Sequence, residues 1–259
     1  MILAAGLGTR LRPLTDERPK ALVEINGRTL LQITIERLAA FGVLEIIINV
    51  HHFADRVAAY LKSRNNFGLR IEISREDDLL LDTGGGLKKA AWFFLEDANC
   101  ADEPFLLHNV DVVSNLNFSS MLAFHKENHA LATLAVQQRE SSRQLLFDEK
   151  LRLAGRRIGR EDTFVLADAQ QVQSGSPTAT HHSPFLALAF SGIHVLSPRL
   201  LPLLTESTPV FSIIDSYLRL ASQGQNIIGF RHDGSYWRDL GRAADLAQAA
   251  RDLRQNTLR

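Results

Sequence analysis

Leu44-Glu45-Ile46-Ile47-Ile48-Asn49-Val50 is a β-branched run that reads as a buried strand, and what lies on either side of it decides the fold. Upstream, Leu30, Leu31, Ile33, Thr34, Leu38 and Phe41 fall on one broad helical face within Thr29–Phe41, and Met1–Ala5 before it reads as a strand. Downstream, Ala54–Leu61 is a second helix. Leu69–Ser74 is a third strand, with Arg70 and Glu72 alternating against Leu69, Ile71 and Ile73. Gly84-Gly85-Gly86 opens a helix through Phe94, and Pro104–His108 is a fourth strand. Strand–helix–strand alternation at this spacing implies parallel strands joined by crossover helices. The expected fold is an α/β three-layer sandwich around a mostly parallel twisted sheet.

The second half is less regular. Phe118–Phe124 looks helical, Leu131–Val136 and Leu145–Phe147 look like strands, and Leu186–Leu196 is a long strand. Gly155–Ser183 has no clean period and reads as a hairpin excursion or a loop. Ile213–Ala221 and Ala243–Leu253 are helices. With no internal repeat, charge block or linker, residues 1–259 read as a single domain with a β-rich region at about 131–192.

Composition narrows the function classes. The 259 residues carry 29 Lys plus Arg against 29 Asp plus Glu, which speaks against an obligate nucleic-acid binder. The hydrophobic fraction of 45% fits a globular chain rather than a disordered one. Cys100 is the sole cysteine, so there is no intrachain disulfide and no Cys/His zinc spacing. The opening residues lack the basic region of a signal peptide. The longest apolar stretch, Phe185 to Leu196, falls short of the ~18 residues of a membrane span. The expectation is a cytoplasmic protein without membrane or nucleic-acid partners.

The first chemical signal is Leu3-Ala4-Ala5-Gly6-Leu7-Gly8-Thr9-Arg10, a strand running into a glycine turn. Small residues let the backbone approach a ligand, and turn N–H groups can point at phosphate oxygens. The dinucleotide fingerprint fails because its third glycine is Leu11, and a P-loop lysine is absent. Arg10 directly after the turn and Pro19-Lys20 at the end of the same loop strengthen the signal. Backbone donors, one planar fork and one point charge suit a polyphosphate. The chain has 23 arginines and only 6 lysines, which sets Lys20 apart from ordinary surface charge.

At this point the sequence resembles a known family. Leu3 through Thr15 (LAAGLGTRLRPLT), followed by Pro19-Lys20-Ala21-Leu22-Val23, closely resembles the signature of the sugar-1-phosphate nucleotidyltransferases. The resemblance continues through Asp82-Thr83-Gly84-Gly85-Gly86, Asn109-Val110-Asp111, Phe190-Ser191-Gly192-Ile193 and Trp237-Arg238-Asp239-Leu240-Gly241, so it covers nearly the whole chain. Length and the Asp-Thr-Gly-Gly-Gly segment look most like the N-acetylmuramate-1-phosphate uridylyltransferases, with mannose-1-phosphate guanylyltransferase-like members next. The resemblance implies a nucleoside triphosphate and a sugar 1-phosphate as substrates, pyrophosphate as a product and Mg²⁺ as cofactor. GTP with mannose or heptose 1-phosphate is the alternative to UTP with N-acetylmuramate 1-phosphate.

Asp111 follows an apolar run and so lies at the C-terminal end of a parallel strand, where open α/β sheets gather ligands. Read alone, it also suits a helix N-cap or an Asx-turn. Asp239 lies between a strand and the last helix and on its own reads as an N-cap. The resemblance implies that Asp111 and Asp239 meet at the metal, and that Arg10 and Lys20 hold phosphates. It also implies nucleotide contacts at Leu3, Ala4, Ala5, Gly6, Gly8, Thr9, Thr83 and Gly84, and sugar contacts at Asn109, Ser191 and Gly192.

Gly84-Gly85-Gly86 offers free N–H donors if it starts a helix, and reads otherwise as a flexible turn. Two departures stand out. Val110 replaces a glycine of many relatives, which requires ordinary β-region geometry there. The Glu-Lys-Pro lysine of several branches is missing. Lys150 reads as surface charge, which leaves Arg143 or a residue of Gly155–Ser183 to supply the cation. His125 and His129 read as a solvated helix end, and His51, His52, His181 and His182 as loop residues. A glycosyltransferase would need Asp-x-Asp, of which Asn109-Val110-Asp111 is half, and a non-catalytic nucleotide-sugar sensor would not need all four charged residues intact.

Overall fold

A computed structural model describes residues 1–96, 102–165 and 185–254. The first half supplies β1 (Ile2–Leu3), a small hairpin of β2 (Glu24–Ile25) and β3 (Arg28–Thr29), α1 (Leu30–Ala40), β4 (Glu45–Val50), α2 (Ala54–Ser63) and β5 (Arg70–Arg75). It continues with α3 (Asp82–Lys89), α4 (Trp92–Leu95), β6 (Phe105–Asn109), β7 (Val112–Ser114) and α5 (Phe118–Glu127). The second half supplies β8 (Ala132–Gln137), β9 (Arg143–Phe147), β10 (Leu153–Ile158), β11 (Glu161–Phe164) and β12 (Leu186–Leu196). It ends with α6 (Ile213–Ser222), β13 (Ile227–Arg231), β14 (Trp237–Asp239) and α7 (Ala243–Arg254).

The central sheet runs β13-β8-β12-β6-β1-β4-β5. All of its neighbouring pairs are parallel except those made by β12, which runs against both β6 and β8. The expected three layers follow from alternation along the strands. Ile46, Ile48 and Val50 of β4 enter the core shared with α1, α2, α5 and α7, whereas Ile47 enters the core shared with α3 and α6. Burial on both faces is why β4 reads as an unbroken apolar run.

Residues 186–188 of β12 leave the central sheet and pair with β9, which continues antiparallel through β10 into β11. β10 and β11 form a hairpin that begins at Leu153 and enters the Gly155–Ser183 stretch as far as Phe164. Residues 166–184, including His181 and His182, lie outside the described residues.

Two elements differ from expectation. The first strand ends at Leu3, because the Ala4 N–H turns to the Asn49 side chain, donating to Oδ1 at 2.8 Å. The helix expected from Gly84 through Phe94 starts earlier, at Asp82, and is broken before Trp92. Its three glycines sit inside the first turns because neighbours press against them. A Cβ at Gly84 would overlap the Phe211 ring, one at Gly85 the Pro209 carbonyl, and one at Gly86 would lie 2.6 Å from Asn49 Nδ2.

Candidate active site

The C-terminal ends of β1, β4 and β6 point into one crevice, as strand direction in an open parallel sheet requires. The glycine turn leaves β1 there. Gly8 has φ +65°, and a Cβ on it would lie 3.0 Å from Thr15 Cγ2 and 3.1 Å from Lys20 Cβ. The same carbonyl of Gly8 accepts from Leu11 N at 2.8 Å and Thr15 Oγ1 at 2.9 Å, which closes the loop on itself. Among the described residues, the backbone N–H groups of residues 6–10 have no hydrogen-bond partner. A row of free N–H groups beside Arg10 is an anion-binding surface.

Closing the loop brings Lys20 inside, where it is only 8% exposed. Its Nζ donates to Asp111 Oδ2 in a partly buried ion pair. Asp111 follows β6 at the turn into β7, and its carbonyl accepts from Leu240 N at 2.8 Å. Val110 has no positive φ, as its side chain requires. Asp239 comes from the far end of the sequence. It ends β14, which pairs antiparallel with β7 so that Asp239 stands opposite Val112, one residue from Asp111. Asp239 is therefore a strand residue, and its Oδ1 accepts from Gly241 N at 2.6 Å.

These groups also act on one another electrostatically. Burial pushes the Asp239 carboxyl above the usual range, and the charge of Asp111 pushes it further. Lys20, the Gly241 N–H and Arg10 pull it the other way. Arg10 lies directly over Gly241: a Cβ there would be 2.6 Å from Arg10 Nη2 and 2.6 Å from Asp239 Oδ1. Two cations from one loop and two carboxylates from two distant segments thus meet at one point.

Two clefts open from that point. One of about 550 Å³ is walled by Leu3, Ala4, Ala5, Gly6, Gly8, Thr9, Arg10, Lys20, Thr83, Asn109 and Asp111, together with Leu80 and Val210. The other, about 1110 Å³, takes Asn109, Ser191, Gly192 and Asp239 with the β9–β10 face and the start of α6. Arg10, Asp82, Thr83 and Asn109 line both, so the clefts adjoin. Gly192, at φ +73°, lets Asn109 come close, since a Cβ would be 2.8 Å from Asn109 Nδ2.

Several candidate residues are already engaged. Gly84 is buried behind the wall, and its N–H donates to Phe211 O at 3.0 Å, so it is not the free donor expected from a helix start. Thr83 Oγ1 accepts from Ile213 N at 3.0 Å and so anchors α6. Ser191 is fully buried, with its hydroxyl 2.9 Å from His232 Nε2. His125 corrects the expectation of a solvated helix end. It is 2% exposed, with Nδ1 2.9 Å from Thr133 Oγ1, and burial lowers its pKa to about 4.

Sequence reasoning missed the supports. Asn49 holds Ala4 N through Oδ1 and donates from Nδ2 to the buried Glu76 at 2.7 Å, while Glu76 Oε2 accepts from Leu81 N at 2.9 Å. Its signal was a lone amide inside an apolar run. Trp237 donates from Nε1 to Ser191 O at 2.8 Å, and the Arg139 guanidinium lies 3.7 Å from its ring centroid. Arg139 also donates to Phe190 O at 2.7 Å.

This is an enzyme of the α/β class, with a glycine turn of unpaired N–H groups facing a carboxylate pair. Residues 1–145 match the family described as nucleotidyl transferase. The N-acetylmuramate alpha-1-phosphate uridylyltransferase of Caulobacter vibrioides is 35% identical over 261 residues, covering 97% of this chain and 95% of that protein. The mannose-1-phosphate guanyltransferase of Yarrowia lipolytica is 30% identical over 247 residues, covering 95% of this chain and 61% of that longer protein. Among solved structures, HddC from Yersinia pseudotuberculosis complexed with GMP-PN superposes with TM-score 0.71 at 21% identity, covering 97% of each chain. A putative glucose-1-phosphate thymidylyltransferase from Bacillus anthracis gives 0.75 at 16% identity, covering 98% and 94%. The chain belongs to the nucleotidyl transferase family and is a sugar-1-phosphate nucleotidyltransferase.

Proposed function

We propose that the chain joins UTP to N-acetylmuramate 1-phosphate, giving the nucleotide-sugar and pyrophosphate, with Mg²⁺ as cofactor. In this reading residues 1–259 work as one nucleotidyltransferase domain in the cytoplasm, on a sugar of the cell wall. Among the described residues, no helix is long and apolar enough to cross a membrane. The observation that carries the reading is the meeting of Arg10 and Lys20 with Asp111 and Asp239 where the two clefts join. The choice of substrates rests on the Caulobacter relative, which matches at nearly full length.

The residues fit a divalent ion. Burial first, and then the charge of Asp111, make the ionised form of Asp239 costly, a cost that a cation between the two carboxylates would relieve. Among the described residues, no group of three or more His, Cys, Asp or Glu can hold a metal. Two protein carboxylates, with phosphates completing the shell, suit Mg²⁺. When bound by Asp111 and Asp239, the ion supplies neutralisation of the charge that develops on the phosphoryl oxygens.

The rest falls to the chain itself. The N–H groups of residues 6–10 and the Arg10 fork hold the β- and γ-phosphates. Lys20, buried between the turn and Asp111, bridges the α-phosphate and the incoming sugar phosphate. A sugar-phosphate oxygen attacks the α-phosphorus in line, and pyrophosphate leaves on the Arg10 side. The nucleophile is already an anion, so no general base or covalent intermediate is needed; positioning and charge neutralisation carry the catalysis. Leu3, Ala4, Ala5 and Thr83 border the nucleoside, with Gly84 behind them as packing. Asn109 and the Ser191-Gly192 backbone border the sugar.

The test is pyrophosphate release from each nucleoside triphosphate with a panel of sugar 1-phosphates. Turnover highest with UTP and N-acetylmuramate 1-phosphate is expected. Turnover with GTP and mannose or heptose 1-phosphate instead would favour the second reading, which the guanyltransferase relatives support. Absence of pyrophosphate with every pair would leave the glycosyltransferase or sensor reading.

A further inference from the structure

The sugar-side cleft is lined by more arginines than acids. Arg10 and Arg242 border it with Asp239, while β9 and β10 add Arg143 and Arg156 to the same cleft. The strand register shows where the second pair looks. Arg143 stands opposite Ile158, and Leu145 opposite Arg156. Cross-strand partners share a face, so Arg143 and Arg156 lie on the face of Leu145 and Phe147. That face packs with Ile213 and Tyr217 of α6. Arg156 is neutralised at the start of α6, where its Nη1 donates to Asp215 Oδ1 at 2.6 Å. Arg143 is exposed and has no ion-pair partner among the described residues.

We propose that Arg143 binds a carboxylate carried by the sugar ring and so makes the site select an acidic sugar 1-phosphate. The inference rests on the reading above, in which the acceptor is N-acetylmuramate 1-phosphate, whose lactyl ether is that carboxylate. In that reading Lys20 and Arg10 already hold the phosphates, so a cation on the β9–β10 face has a different anion to meet. Arginine suits the task because its planar fork matches a carboxylate with two parallel hydrogen bonds. Being exposed until the acceptor arrives, it costs nothing in the folded protein.

The experiment compares wild type, Arg143→Ala and Arg143→Lys, each with UTP. The acceptors are N-acetylmuramate 1-phosphate and its lactyl methyl ester, which keeps the bulk and removes the charge. Pyrophosphate release gives kcat and KM, and calorimetry gives acceptor affinity even where turnover is poor. In wild type, esterification should weaken the acceptor about 10- to 100-fold, chiefly in KM, the range for a hydrogen-bonded charge. Arg143→Ala should cause the same loss with the acid and no further loss with the ester, and Arg143→Lys should recover part of it. Equal losses with acid and ester would assign Arg143 to the phosphate, and no loss with either would remove it from the site. Both overturn the proposal while leaving the substrate reading intact. Failure of wild type to use or bind N-acetylmuramate 1-phosphate would overturn the substrate reading, and this proposal with it.

Discussion

Gly241→Ala tests whether Arg10 and Asp239 must touch the same backbone. Gly241 has no positive φ, so alanine fits its conformation without backbone strain. The added methyl would lie 2.6 Å from Arg10 Nη2, 2.6 Å from Asp239 Oδ1 and 2.8 Å from Arg10 Cζ. Ordinary contact begins near ~3.5 Å, so both groups must retreat by roughly 1 Å. The guanidinium is the end of a flexible side chain and can swing away. The carboxylate is held by the Gly241 N–H at 2.6 Å, so it can move only by weakening that bond. Misplacement by ~1 Å at a reacting centre costs about 10²-fold, so kcat for pyrophosphate release should fall by about that factor. Stability should fall by less than about 1 kcal/mol, because no core contact changes.

The assay is steady-state pyrophosphate release beside thermal melting. Gly234→Ala serves as the control, since a Cβ there meets nothing within 4 Å and the backbone is ordinary. An Arg10→Ala background separates the two displaced groups. If the harm comes through Arg10, Gly241→Ala should cost little more once Arg10 is gone, a non-additivity expected of touching residues. Gly241→Ala with near wild-type kcat would refute the reasoning, because the crowding over Gly241 would then have no bearing on catalysis.

Asp111→Asn should lower kcat by about 10²–10³ while changing nucleotide affinity little, as read by pyrophosphate release and calorimetry; small changes in both would remove Asp111 from its role. Asn49→Ala strips the acceptor from Ala4 N and a donor from Glu76, which is 1% exposed, and should destabilise by about 3 kcal/mol in denaturant melts. A loss under about 1 kcal/mol would mean the network is not needed. His125, with a folded-state pKa near 4 against 6.5 when exposed, contributes stability that is fully present above pH 6.5 and drains away as pH falls toward 4. By pH 5 the loss should be about 2 kcal/mol. His125→Gln should flatten that part of the stability–pH curve, whatever its effect at pH 7, and an unchanged slope would contradict the burial argument.

What the sequence disclosed follows from how each feature is made. The β4 run and the α1 stripe are local patterns, written wherever a strand is covered on two faces or a helix on one, so the parallel sheet was legible. The loop from Gly6 to Lys20 was legible for the same reason, since donors and charges lie within fifteen residues. Features made by distant segments were not. Gly84, Gly85 and Gly86 look like a flexible turn until residues 209–211 are laid against them. His125 looks solvated until Thr133 supplies a partner and β8 a wall. Asp239 looks like a cap because β14 is three residues long and pairs with an equally short β7. Strands that short leave no periodicity to read.

The short β7–β14 pair also explains how the two halves of the site stay in register. It sets Asp239 beside Asp111, so the carboxylate spacing depends on three paired residues rather than on a loop. Trp237, two residues before Asp239 on β14, is tied by its indole N–H to Ser191 of β12 and covered by Arg139. β12 is irregular there: its pairing with β8 slips between Phe190 and His194, and Gly192 takes a left-handed conformation that admits Asn109. One end of β12 lies in the sheet beside β6, and the other pairs with β9, whose first residue is Arg143. A single strand therefore runs from the carboxylates to the wall that would grip the sugar. Any shift of β12 would move both together, and its place between β8 and β6, paired on both sides, holds it against such a shift.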